Sequence, residues 1–360
     1  MKTASEVAAV DLFCGAGGLT HGLIRAGIDV RLGIDLDPTC RFPIEKNNDT
    51  RFLEADVSKI TPSDISNAFQ DSKISLIAGC APCQPFSSYS QGARRHKAHK
   101  DWGLLSSFSD LVFEILPTLV TIENVPPLRN QKIFKDFVSK LSAHGYFVDY
   151  KVINCINIGL PQSRQRLVLV ASSIGLITLP DTFKPPKTVR DVISVLPPIS
   201  AGSSDPNDPL HASASLSELN LERIRHSKPG GTWRDWPEQL RAPCHQKKSG
   251  ATYPSVYGRM KWDEPAPTIT TQCYGFGNGR FGHPEQDRAI SLREASMIQS
   301  FPKNYAFAPK DTPANFNNFG RLIGNAVPVL LGEYIGETIM SHIDSNRIRP
   351  KRRAVTRTIA

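Results

Sequence analysis

The sequence predicts an α/β fold with a second, smaller domain. Three observations carry that reading. Short apolar runs alternate with amphipathic stretches over the first 172 residues, the pattern of a parallel sheet covered by helices. After about Thr182 the texture changes, and Pro, Ser, Gly and Asp crowd Pro185 to Asp208. Helical periodicity then resumes at Leu292 to Phe301 and at Ala326 to Ile339, so the chain is expected to return to its first domain. Strands are expected near Val7 to Phe13, Val30 to Asp35, Phe52 to Ala55, Ile74 to Ala78, Leu119 to Ile122, Phe147 to Ile153 and Leu167 to Ala171, with helices between most of them.

Composition narrows the class. The 360 residues are 40% hydrophobic and carry no long polar tract, which allows a buried core and excludes wholesale disorder. No run approaches the roughly 18 apolar residues of a membrane helix, and the first residues lack a basic leader, so a cytoplasmic, soluble protein is expected. Seven cysteines, an odd number, argue against a secreted disulfide framework. With 43 Lys+Arg against 34 Asp+Glu the chain has a net charge of +9, which favours an acidic partner such as nucleic acid.

The first strand runs into DLFCGAGGLT, placing Gly15, Gly17 and Gly18 where a ligand could approach backbone and helix N-terminus. A tight turn would need the same glycines for positive φ alone. Asp35, 20 residues after Gly15, ends the second strand, where a carboxylate can accept from ribose hydroxyls, and Asp56 closes the third. Thr20 stands where a dinucleotide fingerprint needs its third glycine, and no P-loop lysine is present. An adenosine ligand without pyrophosphate fits better, and S-adenosylmethionine is the common one.

The fourth strand ends in GCAPCQPFSSYSQG, which puts Cys83 beside that crevice. A thiolate there would be a nucleophile. Cys80 and Cys83 also read as a redox pair or half of a zinc site, although no second cysteine pair exists to complete zinc, and Cys80 reads better as a buried structural thiol. The fifth strand ends in IENVPPL, bringing Glu123 within reach of Cys83, where a carboxyl group could protonate or hydrogen-bond a substrate ring. Arg164 and Arg166, two apart in QSRQR, point to one face and suit a planar polar substrate or a phosphate.

Taken in order, DLFCGAGG, GIDLD, EADV, GCAPCQPFS, IENVPP, QSRQR, RMKWDEPAPTITT and RLIGNAVP resemble the DNA (cytosine-5)-methyltransferase family, of the bacterial restriction–modification type. The match spans the chain except about 85 residues before Arg259. The resemblance implies a Rossmann-like catalytic domain over residues 1–184, a target-recognition domain over 185–287, a return to the catalytic domain over 288–345 and a basic tail over 346–360. Double-stranded DNA would lie in the cleft between the domains. Phe13, Gly15, Gly17, Gly18 and Leu19 would line the S-adenosylmethionine pocket, with Asp35 on the ribose, Leu36 against the adenine, Asp56 with Val57 at its amino group, and Pro82, Leu105, Asn325 and Val327 completing it. Cys83 would attack carbon 6 of cytosine, Glu123 would engage nitrogen 3 and the amino group, and Arg164 and Arg166 would orient the base.

The target base must leave the duplex for this chemistry. The stretch after Cys83 is polar and basic and resembles the loop that closes over DNA in this family, with Gln84, Ser87, Arg94 and Arg95 as DNA contacts. From Glu222 to Lys261, nine Lys+Arg against three Asp+Glu are interleaved with aromatic residues, which adds Arg259 to the expected DNA contacts, while at least two of Trp233, Trp236 and Trp262 are expected in the small domain's core. One flipped base needs only a monomer, and the resemblance points to a cognate restriction endonuclease as functional, not physical, partner. A tRNA-cytosine methyltransferase of the same fold and a catalytically silent DNA-binding relative are the alternative readings.

Overall fold

A computed structural model describes residues 6–82, 103–247 and 254–348. Cys83, Gln84, Ser87, Arg94 and Arg95 lie outside the described residues. In chain order the elements are β1 (Val7–Leu12), α1 (Gly18–Arg25), β2 (Asp29–Asp35), α2 (Arg41–Asn47), β3 (Arg51–Glu54), α3 (Pro62–Ser66), β4 (Ile74–Gly79), α4 (Leu104–Ile115), β5 (Leu119–Asn124), α5 (Lys132–Ala143), β6 (Phe147–Asn154), β7 (Gln165–Ser172), α6 (Val189–Ile193), β8 (Ser204–Asp205), β9 (Asp208–Ala212), α7 (Glu218–Arg225), α8 (Leu292–Ile298), α9 (Phe316–Asn325) and α10 (Val329–Ile348).

Seven strands form one sheet in the order β3-β2-β1-β4-β5-β7-β6. The pairs β1–β2, β2–β3, β1–β4 and β4–β5 are parallel, as expected. The expectation of a parallel sheet fails at β7, which is antiparallel to both β5 and β6. Only ten residues, 155–164, separate β6 from β7, a loop too short to cross the sheet, so the chain turns back on itself.

Both faces of the sheet are covered, which is why its central strands read as continuous apolar runs. On β1, Val7 and Ala9 pack with Leu19 and Leu23 of α1 and with Ile335 and Ile339 of α10, while Val10 and Leu12 pack on the other face with Phe108 of α4 and Phe137 of α5. At the other end of the described chain, α10 lies against α1, close to the N-terminal strand. The helix expected from Ala326 starts after Pro328, a residue that cannot donate within a helix, and runs on to Ile348. The sequence reading places no helix at α9, although Phe319, Leu322 and Ile323 set an apolar stripe along one of its faces.

Residues beyond β9 build a small core of their own from Ile224, Trp233, Trp236, Leu240, Phe276 and Ala289. Two tryptophans sit in it as expected, and Trp262 packs partly buried against the neighbouring cluster. Among the described residues no helix is long and apolar enough to cross a membrane.

Candidate active site

The order of strands reverses between β1 and β4, so their helices leave on opposite sides and a crevice opens at the carboxyl ends. A cavity of about 470 Å³ fills it, within the roughly 300–1,000 Å³ of small-ligand sites. Its walls come from the residues that follow β1, β2, β3 and β4, and from α9 with the segment after it.

The loop after β1 is held open by backbone geometry. Phe13 and Gly15 both have positive φ (59° and 52°), a strained state for phenylalanine, and the Gly15 N–H donates to Asp35 Oδ2 at 2.9 Å. The other oxygen of Asp35 accepts from the Asp37 N–H at 3.0 Å. Both contacts leave lone pairs on the carboxylate for a ligand's hydroxyls. Burial raises the Asp35 pKa above its usual range, against the lowering effect of the Asp37 and Gly15 N–H groups. Leu36, beside it, is 60% exposed at the cavity, an apolar platform awaiting a partner. Asp56 Oδ1 accepts from the backbone and hydroxyl of Ser58.

A second group of polar side chains gathers at the ends of β4 and β5. Glu123 is only 3% exposed. Its Oε2 accepts from the Cys80 thiol at 2.8 Å, and its Oε1 lies 2.8 Å from Arg166 Nε in an ion pair whose N–H is not aligned for a hydrogen bond. Arg164 is buried alongside. It donates to Gln162 Oε1 at 3.2 Å and to the Ile269 carbonyl at 3.2 Å, while its Nε has no hydrogen-bond partner among the described residues. Burial, then the neighbouring Arg166 charge, lower its pKa to about 9, so it remains a cation at neutral pH. Asn124 donates to the Ala81 carbonyl at 2.9 Å, which ties β5 to the segment that leads through Pro82 to position 83.

The profile of the family described as C-5 cytosine-specific DNA methylase matches residues 7–341. The chain belongs to this family. It is a DNA (cytosine-5)-methyltransferase that uses S-adenosylmethionine as methyl donor. It is 48% identical to the Type II methylase M.HgiDII of Herpetosiphon aurantiacus over 97% of this chain and 99% of that one. It is 31% identical to the Type II methyltransferase M1.BsuMI of Bacillus subtilis over 91% and 78% of the two chains. Among solved structures, a protein encoded within an Escherichia coli prophage superposes with a TM-score of 0.70 at 23% identity, covering 93% of this chain and 99% of that one, a likeness of fold.

The cavity of this methyltransferase fits its donor chemically. Asp35, Asp37 and Asp56 make the wall anionic, and its one described cation, Arg321, is committed to Asp37, to Thr39 at 3.2 Å and to Asn318 at 2.8 Å. Such a wall repels polyphosphates and suits a ligand that brings hydroxyls, an amino group and a sulfonium charge.

Of the residues expected at the cofactor, Phe13, Gly15, Leu19, Asp35, Leu36, Asp56, Val57, Pro82, Asn325 and Val327 line the cavity. Gly17, Gly18 and Leu105 do not, and each has another task. A Cβ on Gly17 would press on the Tyr305 hydroxyl at 2.8 Å, and one on Gly18 would collide with the carbonyl oxygen of Val327. Leu105 points into the core with Phe108 and Leu111, because α4 turns Leu104 and Ser107 to the cavity.

Two further expectations change. Cys80 is half-buried in the cavity wall and bonded to Glu123, so it is more than core packing. Arg259, expected at the DNA, is only 4% exposed and donates to the carbonyls of Ile224, Ser227, His283 and Gln286 while pairing with Asp287. A guanidinium spent on protein carbonyls has no donor left to offer a phosphate.

Sequence reasoning gave no role to Gln162, which bonds the buried Gln299 at 2.8 Å and also accepts from the Ile269 N–H. Gln299 in turn donates to the carbonyls of Ile323 and Ala326, next to Val327. Two buried amides therefore connect the segment that fixes Arg164 to the segment that lines the cofactor cavity. The only signal was that Gln162 opens the QSRQR motif.

Proposed function

We propose that this methyltransferase modifies one cytosine within a specific duplex sequence, flipped out of the helix, through a covalent bond between Cys83 and carbon 6. The observation that carries this reading is the convergence of Glu123, Arg164 and Arg166 beside the cavity, at the end of the strand that neighbours β4, whose continuation reaches Cys83 one residue after Pro82. Asp35 would hold the ribose of S-adenosylmethionine, Leu36 would cover the adenine, Asp56 would accept from its amino group, and Asn325 and Val327 would close the methionine end. The bound donor supplies an electrophilic methyl group on a sulfonium.

The protein's own groups do the rest. Attack by the Cys83 thiolate on carbon 6 makes carbon 5 electron-rich, which divides one difficult substitution into addition, methyl transfer to carbon 5, and an elimination in which the carbon 5 proton is lost to a base and the sulfur to carbon 6 bond breaks to return the thiolate. Glu123 engages nitrogen 3 and the exocyclic amino group, drawing negative charge off the ring as the thiolate adds. Arg166 orients that carboxylate, and Arg164, whose Nε has no hydrogen-bond partner among the described residues, offers a donor to the base or its phosphate. Burial raises the thiols of Cys14, Cys155 and Cys273, the last two to about 12, so none of these is a competing nucleophile.

DNA would lie between the sheet-bearing part and residues 185–287. A single flipped base calls for a single copy of the chain. The Type II names of its relatives support a role as the modification partner of a restriction endonuclease that reads the same sequence.

The test is incubation with labelled S-adenosylmethionine and duplex DNA, single-stranded DNA or tRNA, with products mapped by bisulfite sequencing. Label at one short duplex motif, with Cys83→Ala keeping cofactor affinity but below about a percent of the activity, is expected. Label in tRNA alone, or an active Cys83→Ala, overturns the reading.

A further inference from the structure

We propose that Cys80 is a positioning residue for methyl transfer, whose thiol holds the catalytic carboxylate from the cofactor side. The inference rests on the role given to Glu123 above. Cys80 faces two ways. It forms part of the wall of the cofactor cavity, and its Sγ donates to Glu123 Oε2 at 2.8 Å. With Arg166 Nε 2.8 Å from Oε1, the carboxylate is gripped at both oxygens, from β7 on one side and from β4 on the other. Each oxygen keeps a second lone pair, one to accept from the amino group of the base and the other to carry the proton that nitrogen 3 takes.

The thiol is presented by a backbone that cannot easily shift. The Cys80 N–H donates to the Leu12 carbonyl at 3.3 Å, extending the pairing of β4 with β1 by one residue. Gly79 before it is wedged beneath Phe108, where an added Cβ would lie 2.8 Å from the ring, and Ala81 after it is held by Asn124 at 2.9 Å. A donor so fixed transmits the position of the sheet to Glu123.

A thiol suits both duties, being apolar enough for a cavity wall and still able to donate. Removing the donor leaves Oε2 without this partner in a site that is almost closed to water, and among the described residues Arg166 alone then holds the carboxylate, at Oε1. Misplacement of a reacting group by about an ångström costs on the order of 100-fold in rate.

The experiment compares wild type with Cys80→Ala, Cys80→Val, Cys80→Ser and Glu123→Gln as full-length chains. Three quantities are read: single-turnover methylation of duplex DNA, affinity for S-adenosylmethionine by calorimetry, and thermal midpoint. Alanine and valine, which cannot donate, are expected to slow methyl transfer by roughly ten-fold or more while cofactor affinity stays within about three-fold. Serine, whose hydroxyl still reaches hydrogen-bond range, is expected to recover most of the rate. A donorless variant that folds and turns over at the wild-type rate, beside a slow Glu123→Gln, overturns the role of Cys80 and leaves the site reading standing. Equal losses in alanine, valine and serine, in step with lost cofactor affinity or lowered midpoint, overturn it in favour of packing. A wild-type rate in Glu123→Gln removes the role of Glu123 and the inference with it.

Discussion

Asp11 stands in β1, where all six residues are buried, with one oxygen accepting from the Thr20 hydroxyl at 2.6 Å and the other without a hydrogen-bond partner among the described residues. Burial, then the Asp35 charge, raise its pKa from 3.8 to about 7, while the Thr20 hydroxyl works in the opposite direction. A raised carboxyl favours the folded state when protonated, so its contribution weakens as pH climbs from about 4 and the penalty is complete above about 7, on the order of 4 kcal/mol. Asp11→Asn imitates the protonated acid. Its stability advantage over wild type should grow steadily between pH 5 and pH 7 in urea titrations and then level off. A pH-independent difference would mean that Asp11 titrates as an ordinary surface acid. Residue identity alone could not forecast this, just as it could not separate Arg164, whose Nε has no hydrogen-bond partner among the described residues, from Arg259, whose nitrogens all meet protein oxygens. Each is an arginine in a polar stretch, and only the carbonyls around it decide what its donors meet.

At the scale of elements, α1 and α10 touch through glycine. A Cβ on Gly22 would strike the backbone of Val329, Gly332 and Glu333, and one on Gly332 would come within 2.9 Å of the Leu19 carbonyl. The backbones sit too close for any side chain between them. Gly22→Ala should therefore cost about 1–3 kcal/mol by overpacking, seen as a lower thermal midpoint. Cofactor affinity should suffer less than in Gly18→Ala, which pushes directly on Val327 at the cavity. If calorimetry finds the two variants equally impaired in binding, the helix contact and the cavity are one mechanical unit. The glycines of DLFCGAGG suggest a ligand loop, and one of them, Gly15, lines the cavity. Others of that run are spent on packing, a use that sequence spacing does not distinguish from ligand approach.

Across the whole molecule, a buried ion-pair network braces α8 and ties it to β9. Arg288 meets Glu294 with both terminal nitrogens at 2.7 Å, Glu294 also accepts from the Ser291 N–H at 2.6 Å, and Arg293 reaches Asp208 of β9 at 2.6 Å. The pairing with Arg288 is the main force holding the Glu294 pKa down against its burial. Arg288→Met would strand that carboxylate, and a loss of about 3–5 kcal/mol is expected from chemical denaturation. A loss below about 1 kcal/mol would show that Ser291 and His283 suffice.

The sequence by itself determined the seven strands of the main sheet, the crevice at their ends, most of the residues that line its cavity and the family. Periodicity and short motifs are local, and local pattern is enough for these. Tertiary structure alone decided that β7 runs backwards. In an antiparallel partner the N-terminal end of β7 lies beside the C-terminal end of β5, pairing Leu167 with Asn124 and Val168 with Glu123. That reversal brings Arg164 and Arg166 to Glu123. In a parallel strand the same residues would begin at the opposite edge of the sheet, a strand's length from the site, because strand direction is set by which neighbour the chain pairs with and not by the residues in the strand.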